Sequence, residues 1–129
     1  MATLEDVRRI AMSLPETSEK VSWGSVMWRV KDRGFVWERP LRKTDREALG
    51  DAAPPGEILG VRVADDGEKE ALLQSEPERF FTIPHFDGYP AVLLRLSEIG
   101  VDELEEVVVD AWLDRAPKRL AAAFLAARG

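Results

Sequence analysis

Apolar residues recur at helical spacing near both ends of the chain. Residues 3–14 predict a first helix, which Pro15 ends. Its apolar side chains share one stripe with the spacing i, i+3, i+4 and i+7: Val7, Ile10, Ala11 and Leu14. Near the other end, Asp102 and Glu105 indicate a helix start, and Pro117 should kink or restart that helix. The stripe of this second helix runs through four positions: Leu104, Val108, Ala111 and Arg115.

Between these helices, alternation of apolar and polar residues predicts strands. Residues 25–39 predict a β-hairpin, because Val26, Trp28 and Val30 alternate with mixed residues and a polar turn follows. Trp28 is therefore expected to be buried. Three further strands are predicted at residues 57–64, 80–83 and 91–96, with a short helix at residues 65–75 between the first two.

The order of these elements predicts an α+β domain spanning residues 1–129. A largely antiparallel sheet of about five strands carries N-terminal, middle and C-terminal helices on one face. Residues 40–56 contain Pro40, Pro54 and Pro55 but little periodicity. They are expected to form a flexible surface segment.

Composition narrows the function classes. The net charge of −6 opposes tight nonspecific binding of nucleic acid by the chain as a whole. The absence of cysteine from the sequence excludes disulfides and thiolate chemistry. The first residues lack the features of a secretory signal, and no apolar run approaches a membrane span. The protein is expected to be cytoplasmic, without a membrane partner.

The predicted hairpin and the segment after it are locally basic. Residues 25–46 contain seven basic and three acidic residues, a local charge of +4. Basic side chains neutralise phosphates and exposed aromatic rings stack on unpaired bases, which makes DNA a possible partner. The candidate contact residues are Arg29, Lys31, Arg33, Arg39, Arg42, Lys43 and Trp37. The alternative is that the charges protect a solvated sheet edge while the tryptophans belong to the core.

A second candidate site is a ligand groove near the turn at residues 84–90. It would involve Trp23, His85, Asp87 and Tyr89. His85 is the only histidine and lies two residues from Asp87, so the two could act as an acid/base pair. The alternative is an ordinary turn with local hydrogen bonds. Because no known catalytic or cofactor motif is present, we predict a non-enzymatic protein without a cofactor.

The second long helix is strongly acidic. Residues 98–114 contain seven acidic and no basic residues. Hard cations prefer carboxylate oxygens, so Glu103, Glu106 and Asp110 form a weak metal-site candidate. The alternative is a solubilising helix face. Because the basic hairpin and the acidic helix carry opposite charges, another protein is the alternative partner to DNA. The same charge separation is compatible with a monomer or a weak homodimer.

Four stretches occur together in the order typical of one family. They are Leu14–Glu19, Trp23-Gly24, the Asp87–Pro90 turn before Val92–Leu96, and Ala111-Trp112 followed by Ala116–Leu120. In these stretches the sequence resembles the MmcQ/YjbR family of small bacterial proteins. The resemblance implies a fold similar to that of CyaY/frataxin and, for many members, DNA binding, but it implies no catalytic residues.

Two functional hypotheses follow. The first is a small binding protein of the MmcQ/YjbR type that contacts DNA through its basic, tryptophan-containing hairpin. The alternative is a protein-interaction or small-ligand module that uses a groove near Trp23, His85 and Tyr89.

Overall fold

The computed structural model describes residues 1–128, which form five α-helices and one open six-stranded sheet. The helices are α1 (Leu4–Met12), α2 (Lys43–Leu49), α3 (Asp66–Ser75), α4 (Val101–Arg115) and α5 (Lys118–Arg128). The strands are β1 (Thr17–Ser22), β2 (Ser25–Val30), β3 (Arg33–Glu38), β4 (Ile58–Arg62), β5 (Phe80–Phe81) and β6 (Ala91–Arg95). Every pairing in the order β1-β2-β3-β4-β6-β5 is antiparallel. The predicted α+β class is confirmed.

The main core lies between one face of the sheet and helices α1 and α4. Leu59 and Val61 of β4 point into this core, where they meet the apolar stripes of both helices. Trp28 is 2% exposed, as predicted, and its indole donates a hydrogen bond to the Glu19 carboxylate at 3.1 Å. Trp112 is fully buried, and its indole donates to the Pro15 carbonyl at 3.2 Å.

A second, smaller core lies on the opposite face of the sheet. It is formed by Ile58, Phe81, Ile83, Phe86, Ala91 and Leu93. Helix α2 packs beside it through Leu49, so the prediction that helices lie on one face only is wrong. Residues 43–49 form helix α2 within the segment 40–56, where no helix was predicted. The short helix escaped detection because only Asp45 is fully buried in it, which leaves no apolar period.

Strand β1 lies between the first predicted helix and the predicted hairpin, where no strand was predicted. Five of its six side chains are polar and the apolar one, Val21, is exposed, so residues 17–22 show no alternation of apolar residues. Trp23 and Gly24 connect β1 to β2, and both have positive φ angles, of 54° and 78°. Two residues of positive φ are what a tight hairpin turn requires. The turn therefore projects the Trp23 side chain from the end of the sheet, where it is fully exposed.

The C-terminal helical region breaks near Pro117, as predicted. Helix α4 ends at Arg115, and α5 begins at Lys118. The ring of Phe124 returns onto Trp112, with 4.8 Å between the ring centroids. Within residues 1–128, no helix combines the length and the apolar character needed to span a bilayer.

Candidate ligand-binding groove

A groove of about 790 Å³ opens on the sheet face opposite α1 and α4. Its sides come from the β1–β2 turn, strands β2 and β3, the segment at residues 39–42 and the turn at residues 84–89. Arg62 from the end of β4 and Arg115 from the end of α4 complete it. The groove therefore gathers residues that are far apart in the sequence.

Three aromatic rings form one side of the groove, which we call the aromatic wall: Trp37, Phe86 and Tyr89. Phe86 is central, with its ring centroid 6.3 Å from that of Trp37 and 5.9 Å from that of Tyr89. The indole of Trp37 lies against Gly60 so closely that a Cβ atom at that position would overlap it. Glycine at this position therefore allows the wall to lie flat on the sheet.

A buried lysine supports the turn that carries two of these rings. Lys69 projects from α3, and its Nζ donates to the carbonyl oxygens of Phe86 at 2.6 Å and of Tyr89 at 3.0 Å. Hydrogen bonds from a charged donor are stronger than neutral ones. Helix α3 is thereby coupled to the shape of the groove.

Positive charge predominates along the groove. Its lining contains Arg39, Arg42, Arg62 and Arg115, with Glu38 as the acidic residue. Arg39 is neutralised by buried Asp45, at 3.0 Å. Within residues 1–128, the other three arginines have no carboxylate within 4.0 Å.

Arg62 and Arg115, the arginine pair, are the least satisfied of these side chains. In each residue Nε is shielded from solvent and has no acceptor among residues 1–128. Arg62 lies over the Tyr89 ring, 5.1 Å from its centroid, and its Nη1 donates to the Tyr89 hydroxyl at 3.4 Å. Burial lowers the pKa of Arg115, and the charges of Arg62 and Arg33 lower it further. The site therefore holds two guanidinium charges that no carboxylate of residues 1–128 neutralises in a direct ion pair.

Asp114 is an acidic side chain close to this pair. Partial burial raises its pKa to about 6, with further contributions from the charges of Glu68, Asp110 and Asp65. The charge of Arg62 acts in the opposite direction. Near neutral pH, Asp114 is therefore ionised in unfavourable surroundings.

We predict that Asp114→Asn stabilises the protein at pH 7 by about 1 kcal/mol, a value reduced for the exposure of the side chain. The pKa of this carboxyl is about 6 in the folded protein, against 3.8 for an ordinary Asp. The folded protein therefore loses stability as pH rises from about 4 to about 6 and the carboxyl ionises. Asparagine cannot ionise, so urea denaturation across this pH range should show a smaller decline in the variant. The control is Glu106→Gln on the same helix, which should keep the wild-type slope. An unchanged slope in Asp114→Asn would contradict the prediction.

Several residues of the predicted DNA surface are engaged with the protein itself. Lys31 Nζ pairs with the Glu16 carboxylate at 2.9 Å, and Arg29 lies 3.8 Å from the Asp32 carboxylate. Arg39 is buried and ion-paired, so the expectation that it is an exposed contact residue is wrong. Ion pairs thus occupy three of the seven basic residues of residues 25–46.

The remaining residues of that predicted surface lie in or beside the groove. Trp37 is half-buried in the aromatic wall, and Arg42 is exposed on the groove lining. Lys43 is exposed at the start of α2. Arg33 is exposed at the start of β3, and its Nη1 donates to the backbone carbonyl of Arg115 at 3.4 Å.

The residues predicted to form a ligand groove are brought together with one exception. Trp23, His85 and Tyr89 all line the groove, although they come from two turns far apart in the sequence. Asp87 is exposed and lies outside the lining. Within residues 1–128, no hydrogen bond joins His85 to Asp87, so the structure does not assemble the acid/base pair that their spacing suggested.

The metal-site candidate on α4 is wrong. Across residues 1–128, no three histidine or carboxylate side chains converge as metal ligands. Glu103 instead caps α4, because its Oε2 accepts a hydrogen bond from the Gly100 amide at 3.0 Å and lies 3.7 Å from Arg79. Glu106 and Asp110 lie along a shallow depression between α4 and α5.

Sequence reasoning missed the arginine pair and Phe86 as groove residues. One signal was available for each arginine. Arg62 ends an apolar strand on the same face as Ile58, and Arg115 occupies a position in the apolar stripe of α4. A charged residue at an apolar position often marks a site, but the sequence does not show that these two positions meet.

Comparison with known proteins agrees with the resemblance. The YjbR family model matches residues 12–113. Two relatives are uncharacterized protein Rv2570 of Mycobacterium tuberculosis and uncharacterized protein Mb2600 of Mycobacterium bovis. Each is 55% identical to this chain over 132 residues, and each alignment covers 100% of this chain and 100% of the relative. The crystal structure of Deinococcus radiodurans protein DR2400, a DUF419 protein, shares the fold with a TM-score of 0.65 at 19% identity, covering 88% of this chain and 78% of that one. The chain belongs to the YjbR family.

Proposed function

We propose that this protein is a non-enzymatic binding module that holds a small anionic ligand in the groove. The observation that carries the proposal is the position of the aromatic wall beside the arginine pair, within one cavity of about 790 Å³. Pockets of roughly 300–1,000 Å³ with apolar walls and a few polar groups are typical of small-molecule sites.

The two halves of the groove supply different kinds of binding energy. In the aromatic wall, the partly exposed rings of Trp37 and Tyr89 flank the buried ring of Phe86 and favour a planar or apolar part of a ligand. The arginines offer planar arrays of N–H donors that match the oxygens of a phosphate or carboxylate. A ligand with one apolar and one anionic end fits this division.

The same contacts favour a small ligand over DNA. DNA affinity depends on the number of phosphates that free lysine and arginine side chains can neutralise. Lys31 and Arg39 are already paired with carboxylates, and Trp28 is buried where no base can reach it. Duplex DNA is therefore the competing outcome of the test below.

The four tryptophans provide an internal control for that test. Trp23 and Trp37 line the groove, whereas the indoles of Trp28 and Trp112 are bonded within the opposite core. We predict that titration with phenyl phosphate, benzoate or pyrophosphate shifts the indole N–H resonances of Trp23 and Trp37 and leaves those of Trp28 and Trp112 in place.

The result that would overturn the proposal is equally specific. If no small anion moves the Trp23 and Trp37 signals, or if all four signals move together, the groove is not a small-ligand site. If a short DNA duplex at low salt shifts them and the small anions do not, the DNA hypothesis replaces this one.

A further inference from the structure

We infer that the arginine pair is a subsite for the terminal phosphoryl group of an aromatic phosphomonoester, whose ring lies along the aromatic wall. This inference rests on the proposed function and specifies the chemistry of its ligand.

The guanidinium of Arg62, one of the two donors of the subsite, is already held in position. Arg62 is kept in place by the Tyr89 ring beneath it and by its hydrogen bond to the Tyr89 hydroxyl. The backbone of Arg115 is tied to Arg33 through the bond from Arg33 Nη1 to the Arg115 carbonyl. Side chains that are ordered before binding lose less conformational freedom when the ligand arrives.

Both guanidinium groups of the pair keep donors without a partner. A buried N–H group without a partner is unfavourable, and native proteins keep such groups rare. Nε is such a group in both residues, as it is in Arg29 outside the groove. Arg62 and Arg115 also line the groove and have no carboxylate of residues 1–128 within 4.0 Å. An oxyanion with several acceptor oxygens can satisfy more than one guanidinium at once.

The amount of charge distinguishes a phosphomonoester from a diester. Arg33, Arg62 and Arg115 are close enough for the first two to affect the titration of the third. A phosphomonoester carries about −1.5 to −2 charges near pH 7, whereas a diester such as the DNA backbone carries one. The dianion therefore compensates this cluster better.

The aromatic part of the ligand follows from the position of Tyr89. Its hydroxyl contacts Arg62, and its ring meets Phe86 edge to face at 5.9 Å between centroids. A phosphoryl group at the arginine pair consequently places its substituent beside the aromatic wall. Tyr89 acts as a positioning residue for Arg62, and its hydroxyl hydrogen remains available to a phosphate oxygen.

The test compares three probes by isothermal titration and by the indole signals. Phenyl phosphate should bind more tightly than inorganic phosphate, which lacks the ring, and about tenfold more tightly than methyl phenyl phosphate, the monoanionic diester. Arg62→Gln and Arg115→Gln should each weaken phenyl phosphate binding by at least about tenfold. The matched control is Arg119→Gln on α5, an exposed arginine outside the groove, which should leave the affinity unchanged.

The indole signals of Trp28 and Trp112 report whether the variants remain folded. The variant Asp114→Asn leaves both arginine side chains in place. It should strengthen phenyl phosphate binding about twofold, because it removes negative charge near Arg62. Binding of small anions in the groove that is insensitive to both arginine variants would overturn this inference while leaving the proposed function intact. Equal affinity for the monoester and the diester would do the same.

Discussion

Asp45→Ala is expected to lower the free energy of unfolding by about 3–5 kcal/mol, since it leaves a buried charge without its partner. Arg39 and Asp45 are both almost fully buried, and Arg39 Nη1 lies 3.0 Å from Asp45 Oδ2. The same oxygen accepts the Arg42 amide at 2.9 Å and so also caps α2. After substitution, the guanidinium of Arg39 keeps one hydrogen bond within residues 1–128, from Nη1 to the Pro40 carbonyl, and its contact with the Phe86 ring.

The effect of pH on the wild-type protein has a defined sign. Burial acts to raise the pKa of Asp45, but the Arg42 amide and the Arg39 guanidinium outweigh burial and lower the pKa below its usual value. Stability from this carboxylate is therefore present above the ordinary Asp range and is lost as pH falls through the folded-state pKa. Asp45→Ala should show a smaller loss on acidification.

Urea denaturation at neutral and acidic pH measures both effects. Asp51→Ala, at an exposed aspartate in the turn after α2, is the control and should change stability by less than about 0.5 kcal/mol. The double variant Arg39→Met with Asp45→Leu should recover most of the lost stability, because it removes both buried charges. A loss below about 1 kcal/mol for Asp45→Ala would show that Arg39 finds water or another acceptor.

The parts of the fold that were predictable from sequence are those with a buried stripe. Helices α1 and α4 and strand β2 each place apolar residues at a regular period, because one side of each packs on the main core. Strand β1 and helix α2 expose most of their side chains, so no such period exists. Strand β1 is held by backbone pairing with β2, and helix α2 is held by its Asp45 cap.

The groove was predictable only where its residues come from turns. Trp23, His85 and Tyr89 are large side chains in turn segments, which made them visible as candidates. The arginine pair forms only because the C-terminal end of strand β4 lies close to the C-terminal end of helix α4 in the fold. Local net charge was a poor guide for a related reason, because Glu16, which lies outside residues 25–46, pairs with Lys31 in the folded chain.

Lys69→Met is expected to lower the free energy of unfolding by about 2–3 kcal/mol and to loosen the groove. The substitution keeps the length of the side chain but removes both hydrogen bonds from Nζ to the Phe86 and Tyr89 carbonyls. Each bond from a charged donor contributes about 1.5–3 kcal/mol. The gain from no longer burying an ammonium group offsets part of that loss, which sets the net value.

The position of the amides that exchange faster shows whether Lys69 supports the turn at residues 84–89 or only contributes to packing. The turn amides, which donate from Phe86 to Ile83 and from Tyr89 to Phe86, should exchange hydrogen faster, while amides of β4 and β6 stay protected. Phenyl phosphate affinity should fall as well, because the turn carries two rings of the aromatic wall and holds Arg62 through Tyr89. Lys118→Met, at an exposed lysine on α5, should change none of these quantities. If Lys69→Met left exchange and affinity at wild-type values, the turn would be stable without α3, and the groove would owe its shape to the aromatic contacts alone.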